Sequence, residues 1–336
     1  MKAVVIHQHG DASALVVETD YPAPNNESSL MTEGEVLIQN HFAGLNFIDT
    51  YYRSGLYKQN LPFIGGQEGG GVIIQSTVDE FKEGDRVVYM GFGSYAEYTK
   101  VSASKVIKIP DGLDMKVAIA CMVQGLTAHY LVTDATAGLI KPGEWCLIFS
   151  VGSGTTQWAA QMAKLQGYKV IGTTSKTKVD AVPKGSVDEL IVLETAEGKT
   201  YADYQSVNIV QKVMDITNGQ GCKCIIDGVG KSTTDIAIAS LAQRGIWITF
   251  GNASGPVPPI SVLSLLPKSA FCTRPKLGDY IATREELDAR ADDVFRWVAS
   301  GELIVRVDKV FSLEQASDGH AYLESGQSMG KILFQL

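Results

Sequence analysis

The residues Ser150-Val151-Gly152-Ser153-Gly154-Thr155-Thr156 carry the clearest chemistry in this chain. They stand between an apolar run, Cys146–Phe149, that reads as a buried strand, and an amphipathic run with Trp158, Ala159, Met162 and Leu165 at helical spacing. A strand, a glycine turn and a helix start together make an anion site. Backbone N–H groups point out of the helix, its dipole favours negative charge, and bare glycines let a pyrophosphate approach. This is the opening unit of a dinucleotide fold. The fingerprint is imperfect, because Gln157 stands where a third glycine would follow Gly152 and Gly154. On the glycines alone, an ordinary buried strand and turn stays open. A second run refines the chemistry. Gly172-Thr173-Thr174-Ser175-Lys176-Thr177-Lys178 offers hydroxyls and two cations, with no carboxylate before Asp180. NAD enzymes place an acid there to hold the ribose 2′-hydroxyl. Here a 2′-phosphate meets cations and no repelling acid, which favours NADPH; the alternative is a solvated polar loop.

The elements around the turn support a nucleotide site. Strands are predicted at Lys169–Thr173, Leu190–Leu193, Cys224–Asp227 and Ile246–Phe250, with helices at Asn208–Asn218 and Thr233–Gln243. Strand and helix in alternation argue for an α/β domain with a doubly wound parallel sheet. The preceding segment reads as all-β. Val36–Gln39, Gly71–Ile74, Arg86–Met90 and Val106–Ile109 are short apolar runs cut by turn signals such as Glu83-Gly84-Asp85 and Pro110-Asp111-Gly112. Beyond residue 264 the pattern changes again. Thr283 is the expected N-cap of a helix over Arg284–Ser300, and strands at Val305–Phe311 and Lys331–Leu336 are expected to return to the first domain.

Composition sets bounds. With 336 residues, 45% hydrophobic, two domains with full cores are expected. A net charge of −8 argues against wrapping on nucleic acid or anionic membrane as a main role. Met1–His7 reads as a first strand, not a signal peptide, and no stretch is expected to reach the roughly 18–20 apolar residues that span a bilayer. The five cysteines lie mostly in apolar settings, which suits reduced thiols and a cytoplasmic home. The five histidines are scattered without ligand or triad spacing, and no Gly-x-Ser-x-Gly supports a hydrolase.

Longer blocks carry a family resemblance: GLNFIDTYYRSGLY (Gly44–Tyr57), LPFIGGQEGGGVI (Leu61–Ile73), DGVGKSTTDIAIASL (Asp227–Leu241), FGNASGPVPPI (Phe250–Ile260), Thr273–Pro275 and GDYIATREEL (Gly278–Leu287). Over nearly its whole length the chain resembles a zinc-independent medium-chain dehydrogenase/reductase of the NADPH-dependent quinone oxidoreductase (ζ-crystallin-like) group. The resemblance implies a GroES-like β-barrel catalytic domain over residues 1–124 and 265–336. It also implies a Rossmann NADPH-binding domain over 125–264, and a homodimer joined through sheet edges near Ile246–Phe250. Zinc-dependent relatives have a cysteine where this chain has Asn46, and Gly-His-Glu where it has Gly66-Gln67-Glu68. Amides are poor zinc ligands beside thiolate and imidazole, so no metal is expected.

By resemblance the catalytic candidates are Asn46, near the nicotinamide, Tyr51 and Tyr57, phenols on a loop facing the cleft, and the nearby cation Arg53. A phenol or ordered water would stabilise the oxyanion left by hydride addition to a quinone and supply its proton. Tyr51 could instead pack a domain edge, Asp49 could merely cap a short helix, and Glu68 could chiefly hold a loop. For the cofactor the resemblance implies Asn46, Gln124, Thr127, Ser153, Gly154, Thr155, Thr174, Ser175, Lys178, Phe250, Gly251 and Asn252, with Lys178 on the 2′-phosphate. Two departures bear on that site. Gly326 falls where relatives often carry a phosphate-reaching arginine, for which Lys331 is a candidate substitute, and Thr156 replaces the last glycine of the family's turn. The function expected is metal-free hydride transfer from NADPH to quinones. Two rivals remain: a 2-alkenal or enone reductase, and an NADPH-binding sensor or RNA-binding protein with vestigial activity. Strong RNA affinity would need clustered Lys and Arg, which the acidic balance opposes.

Overall fold

The computed structural model describes residues 1–24, 31–197 and 201–336, which divide into two compact units. Unit 1 comprises Met1–Leu126, Ile281–Glu324 and Lys331–Leu336; unit 2 comprises Thr127–Tyr280 and Ser325–Gly330.

Unit 1 opens with β1 (Ala3–Ile6), β2 (Leu15–Glu18) and β3 (Glu35–Leu45), followed by α1 (Phe47–Ser54). Next come β4 (Phe63–Ile64), β5 (Glu68–Ser76), β6 (Arg86–Met90), β7 (Tyr98–Ser102) and β8 (Val106–Lys108). A helical run follows: α2 (Met115–Ala120), a π-turn at Cys121–Leu126, and α3 (Thr127–Val132), the last in unit 2. Met115–Val132 corrects one expectation, since it has the length and apolarity of a membrane span; 83% of that window is buried inside the protein, as in a core helix.

Unit 2 continues with β9 (Trp145–Ile148), α4 (Gly154–Leu165), β10 (Lys169–Ser175), β11 (Glu189–Leu193) and α5 (Ile209–Ile216). It ends with β12 (Cys222–Asp227), α6 (Thr234–Ser240), β13 (Leu241–Thr249), β14 (Phe271–Thr273) and α7 (Leu277–Tyr280). These strands form one parallel sheet in the order β11-β10-β9-β12-β13-β14. Counted along the chain this is 3-2-1-4-5-6, the order of dinucleotide-binding sheets. Its reversal point lies between β9 and β12, where the Ser150–Thr156 turn leaves β9. Leu147, Phe149, Ile171, Ile225 and Trp247 fill one face of the core, matching the continuous apolar runs of a sheet covered on both sides.

The chain then returns to unit 1 through α8 (Arg284–Ala299), β15 (Val307–Ser312), α9 (Ala316–Glu324) and β16 (Lys331–Gln335). Thr283 caps α8 as expected, accepting from Glu286 N at 3.2 Å. β15 and β16 join a seven-stranded sheet beside β3, with Ile332 opposite Leu45 and Phe334 opposite Ala43. The return begins at Ile281 and not at 265, because β14 pairs with β13 (Ile246 opposite Phe271) and extends the nucleotide sheet. β14 also covers the side of β13 at which a dimer edge was expected. The short segment Ser325–Gly330 belongs with unit 2, which a two-piece division misses.

Candidate functional site

In unit 2 the glycine turn is built by close approach. A Cβ on Gly152 would lie 2.6 Å from Thr174 Oγ1 and 2.9 Å from Lys178 Cβ, so only glycine lets the turn lie against the end of β10. Thr156 accounts for its own presence, its hydroxyl lying 2.6 Å from Ser150 O and 2.7 Å from Ser153 O and closing the turn internally. Gln157, at the missing third glycine, donates to Met329 O at 2.8 Å and ties down the Ser325–Gly330 segment. Ser153, the N-cap of α4, makes no side-chain cap bond, so the first-turn N–H groups are left for a ligand. Ser153, Gly154 and Thr155 are the half-buried part of the turn; Gly152 and Thr156 are buried.

Lys178 is buried, and its Nζ donates to Ser153 Oγ at 3.0 Å and to Ser328 O at 2.8 Å. Ser175 Oγ lies 3.0 Å from Thr177 Oγ1, while the buried Thr174 Oγ1 has no hydrogen-bond partner among the described residues. A buried ammonium, an orphaned hydroxyl and open helix N–H groups fit a phosphorylated cofactor. Gly326 has φ +76°, and a Cβ there would lie 2.9 Å from Tyr201 Cβ, so this backbone has no place for the relatives' arginine.

The far ends of β12 and β13 interlock. Asp227 accepts from Val229 N, Gly230 N, Thr233 Oγ1 and Trp247 Nε1, and burial pushes its carboxyl above the ordinary range. Gly251 must be bare, since its Cβ would lie 2.3 Å from Gly228 O. Arg274 clamps the Phe250–Asn252 loop, donating to Thr249 Oγ1, Gly251 O and Asn252 Oδ1, each at 3.0 Å. Sequence reasoning quoted Thr273–Pro275 only as a block and missed this role.

In unit 1, Asn46 and Tyr57 flank α1, and Tyr51 and Arg53 lie on it, so Tyr51 sits on a helix and not on the expected loop. Asn46 is the N-cap in extended geometry, Asp49 Oδ2 accepts from Asn46 N at 2.7 Å, and Gly55 ends the helix at φ +81°. Tyr51 and Tyr57 meet edge to face at 5.3 Å, and Tyr52 packs similarly on Phe92. Arg53 corrects its expected role. Only 2% of its side chain is exposed, and its guanidinium is forked onto Glu324 at 2.6 and 3.0 Å, with Nη1 also 3.0 Å from His320 Nδ1. It is a structural cation.

Arginine only donates, so His320 Nδ1 accepts and the ring proton sits on Nε2. Tyr95 OH lies 3.4 Å from that Nε2 and donates to Asp49 Oδ2 at 3.3 Å. Burial, and secondarily Arg53, pushes His320 down to about 3, so the ring is neutral. Burial foremost, with Glu68 nearby, pushes Asp49 up to about 7. Its Oδ1 is buried without a partner among the described residues.

Lys331 also corrects its expected role. Its ammonium is buried in unit 1 and forms an ion pair with Glu68, both side chains 0% exposed, while donating to Asn46 Oδ1 at 2.9 Å. It cannot serve a cofactor phosphate. Asn46 Nδ2 donates to Glu68 Oε1 at 2.7 Å, and Val123 N, in the π-turn, donates to Glu68 Oε2 at 2.7 Å. The same π-turn carries Gln124, whose buried Oε1 has no partner among the described residues, and ends beside Thr127. The sequence signal for the pair was a lysine opening the apolar strand Lys331–Gln335, a position that burial makes tenable only with an acid.

Residues 32–111 match the family model described as Alcohol dehydrogenase GroES-like domain, and residues 197–333 the one described as Zinc-binding dehydrogenase. A quinone oxidoreductase of Pseudomonas aeruginosa is 36% identical over 306 residues, covering 89% of this chain and 90% of that one. The structure of Escherichia coli quinone oxidoreductase complexed with NADPH superposes with a TM-score of 0.90 at 32% identity, covering all of both chains. A 2-haloacrylate reductase from a Burkholderia species is 31% identical, covering 98% of each. The second model's description implies zinc, which the donors here do not fit. Asn46 is already bonded to the ammonium of Lys331, beside which a metal cation would be repelled, and Gln67 offers only an amide. Among the described residues no three His, Cys, Asp or Glu side chains group to hold a metal. By sequence, fold and site, the chain belongs to the quinone oxidoreductase family of zinc-independent medium-chain dehydrogenases/reductases.

Proposed function

We propose that this protein is an NADPH-dependent quinone reductase that transfers hydride to quinones without a metal. The observation that carries the reading is Lys178, a buried cation bonded to the N-cap Ser153 of α4 at the end of a strand that has no acid to hold a ribose 2′-hydroxyl. Thr174, Ser175 and Lys178 take the 2′-phosphate, and the N–H groups of Gly154 and Thr155 take the pyrophosphate beside Ser153, whose own N–H closes the turn on Ser150 O at 3.0 Å. Phe250, Gly251 and Asn252, held by Arg274, serve the nicotinamide side, with Thr127 of the same unit as a further contact. Bound NADPH supplies the hydride. The chain's task is then to receive charge: net delivery of the hydride to one quinone oxygen leaves the hydroquinone monoanion, with its charge on the other oxygen, and one proton there completes the quinol. Asn46 offers an amide N–H to the oxygen where charge develops, and Tyr57 offers a phenol O–H, with the Tyr51 ring packed edge to face against it. Because a hydroquinone anion is already stabilised, losing one donor lowers the rate only in part.

The test is a panel of 1,4-benzoquinone, 9,10-phenanthrenequinone and an enone with NADPH, monitored at 340 nm in the presence of EDTA. Turnover highest on the quinones supports the reading. Turnover highest on the enone moves the protein to the second reading, an enone-type reductase, which the 2-haloacrylate reductase relative favours. NADPH binding without any acceptor reduced would point to a sensor.

The oligomer proposed is a homodimer through β14. That strand ends the parallel sheet, and the segment before it exposes Val262 (80%), Leu263 (73%) and Leu266 (70%) beside the exposed Phe271. A cytoplasmic home is proposed from Cys121, Cys146, Cys222 and Cys224, all buried free thiols.

A further inference from the structure

The ring formed by Asn46, Glu68 and Lys331 poses a question that stability does not answer. Neither charged side chain is exposed, and burying such a pair costs desolvation that its own attraction scarcely repays. Apolar replacements of buried pairs are often neutral or stabilising. What the ring does fix is the orientation of one amide. The Lys331 ammonium can only donate, and it meets Asn46 Oδ1 at 2.9 Å. The Glu68 carboxylate can only accept, and it meets Asn46 Nδ2 at 2.7 Å. A flipped amide would set donor against donor and acceptor against acceptor, with two full charges enforcing the mistake. Glu68 is itself held by Val123 N at 2.7 Å, and the third contact of the ammonium is Leu45 O at 3.5 Å. Asn46 is held in turn by its own backbone N–H on Asp49 Oδ2 at 2.7 Å, so all three corners of the ring are anchored and the one uncommitted proton of the Asn46 amide has a fixed direction.

We infer that Lys331 is a positioning residue of the reductase, which with Glu68 keys the Asn46 amide so that its remaining N–H is the donor presented to the reacting oxygen. The inference rests on the reductase reading for its kinetic consequence, but the keyed amide itself is a property of the ring alone. A misdirected donor at a reacting centre typically costs on the order of 10-fold to 100-fold in rate. The cost should fall on kcat, leaving NADPH affinity in place.

Lys331→Met alone leaves Glu68 buried without its cation and risks unfolding. The informative variant is therefore the pair Glu68→Gln/Lys331→Met, which removes both charges yet keeps an amide able to pair with Asn46 in either orientation. It is compared in the native background and in Asn46→Ala, with kcat on 9,10-phenanthrenequinone, NADPH affinity by fluorescence, and the Asn46 side-chain amide signals of selectively ¹⁵N-asparagine-labelled protein. The expected result is that the pair lowers kcat about 10-fold in the native background and less than about 2-fold in Asn46→Ala, and that adding the pair changes NADPH affinity by less than about 2-fold within either background. An equal loss in both backgrounds, or no loss in either, overturns the inference. In the native protein the two Asn46 amide protons should give well-separated signals that converge in the pair variant. Unchanged signals overturn the keyed amide even if no quinone is reduced, whereas an inactive native protein with converging signals defeats only the reductase reading.

Discussion

The two units place their polar groups in opposite ways. Around α1 in unit 1, polar side chains are committed inward: Arg53 to Glu324 and His320, Tyr95 to Asp49, Lys331 to Glu68 and Asn46. Around the start of α4 in unit 2, groups are left open: the Ser153 side chain caps no helix N–H group, and Thr174 Oγ1 is buried without a partner among the described residues. A region that receives a large anionic cofactor gains by keeping donors unspent, since backbone N–H groups bind phosphate without side-chain reorganisation. A region that must hold one amide in place gains by pairing the groups around that amide, even though Asp49 Oδ1 nearby has no partner among the described residues. The contrast fits two candidate cations, Arg53 and Lys331, whose side chains are committed to Glu324 and to Glu68 and Asn46, whereas Lys178 is the cation proposed for the cofactor.

The contrast can be broken by substitution. The largest effect is expected from Arg53→Ala, which empties a buried site and removes the partner of His320 and of the half-exposed Glu324; it should cost about 2–4 kcal/mol in denaturant unfolding, with kcat of the folded fraction within about 2-fold. A lost kcat with unchanged stability would return Arg53 to the chemistry. Gly152→Val comes next: its Cβ would meet Thr174 and Lys178, so about 1–3 kcal/mol of stability and most NADPH affinity should go together, read by thermal melts and fluorescence titration.

A subtler test uses pH. Asp49, at about 7 in the folded chain against 3.8, keeps a proton that the unfolded chain releases, so it subtracts stability as pH rises from about 4 to about 7. His320, at about 3 against 6.5, refuses a proton that the unfolded chain takes up, so it subtracts stability as pH falls from about 6.5 to about 3. The two slopes oppose each other over most of that range. Asp49→Asn should therefore expose a stability that rises with pH between about 3 and 6.5, and His320→Gln one that falls between about 4 and 7. Identical pH profiles in both variants would sink the assignment. The smallest effect on the fold is expected from Leu263→Asp, within about 0.5 kcal/mol per subunit, but it should convert a dimer to a monomer in sedimentation. An unchanged mass would move the interface away from β14.

Much of the fold was legible in the sequence because its signals are local. The apolar run before Ser150, the alternation through Ile246, and Thr283 three residues before Glu286 each follow from period or capping. The Ile281 boundary was not legible, since β14 has only three residues, two of them exposed, and joins the sheet only through pairing with β13. Likewise Thr174 and Lys178 could be proposed from the end of one strand, where ligand groups cluster by rule. The Asn46–Glu68–Lys331 ring joins residues up to 285 positions apart, and no local pattern distinguishes a lysine that faces a phosphate from one buried on a carboxylate.

The central claim is tested most directly by kcat/KM for NADPH and NADH with 9,10-phenanthrenequinone, in the native protein and in Lys178→Ala. The account predicts a native preference for NADPH that Lys178→Ala reduces by about 10-fold to 100-fold, through KM for NADPH and with little change for NADH. Equal use of both cofactors by the native protein, or a preference that survives Lys178→Ala, would contradict it.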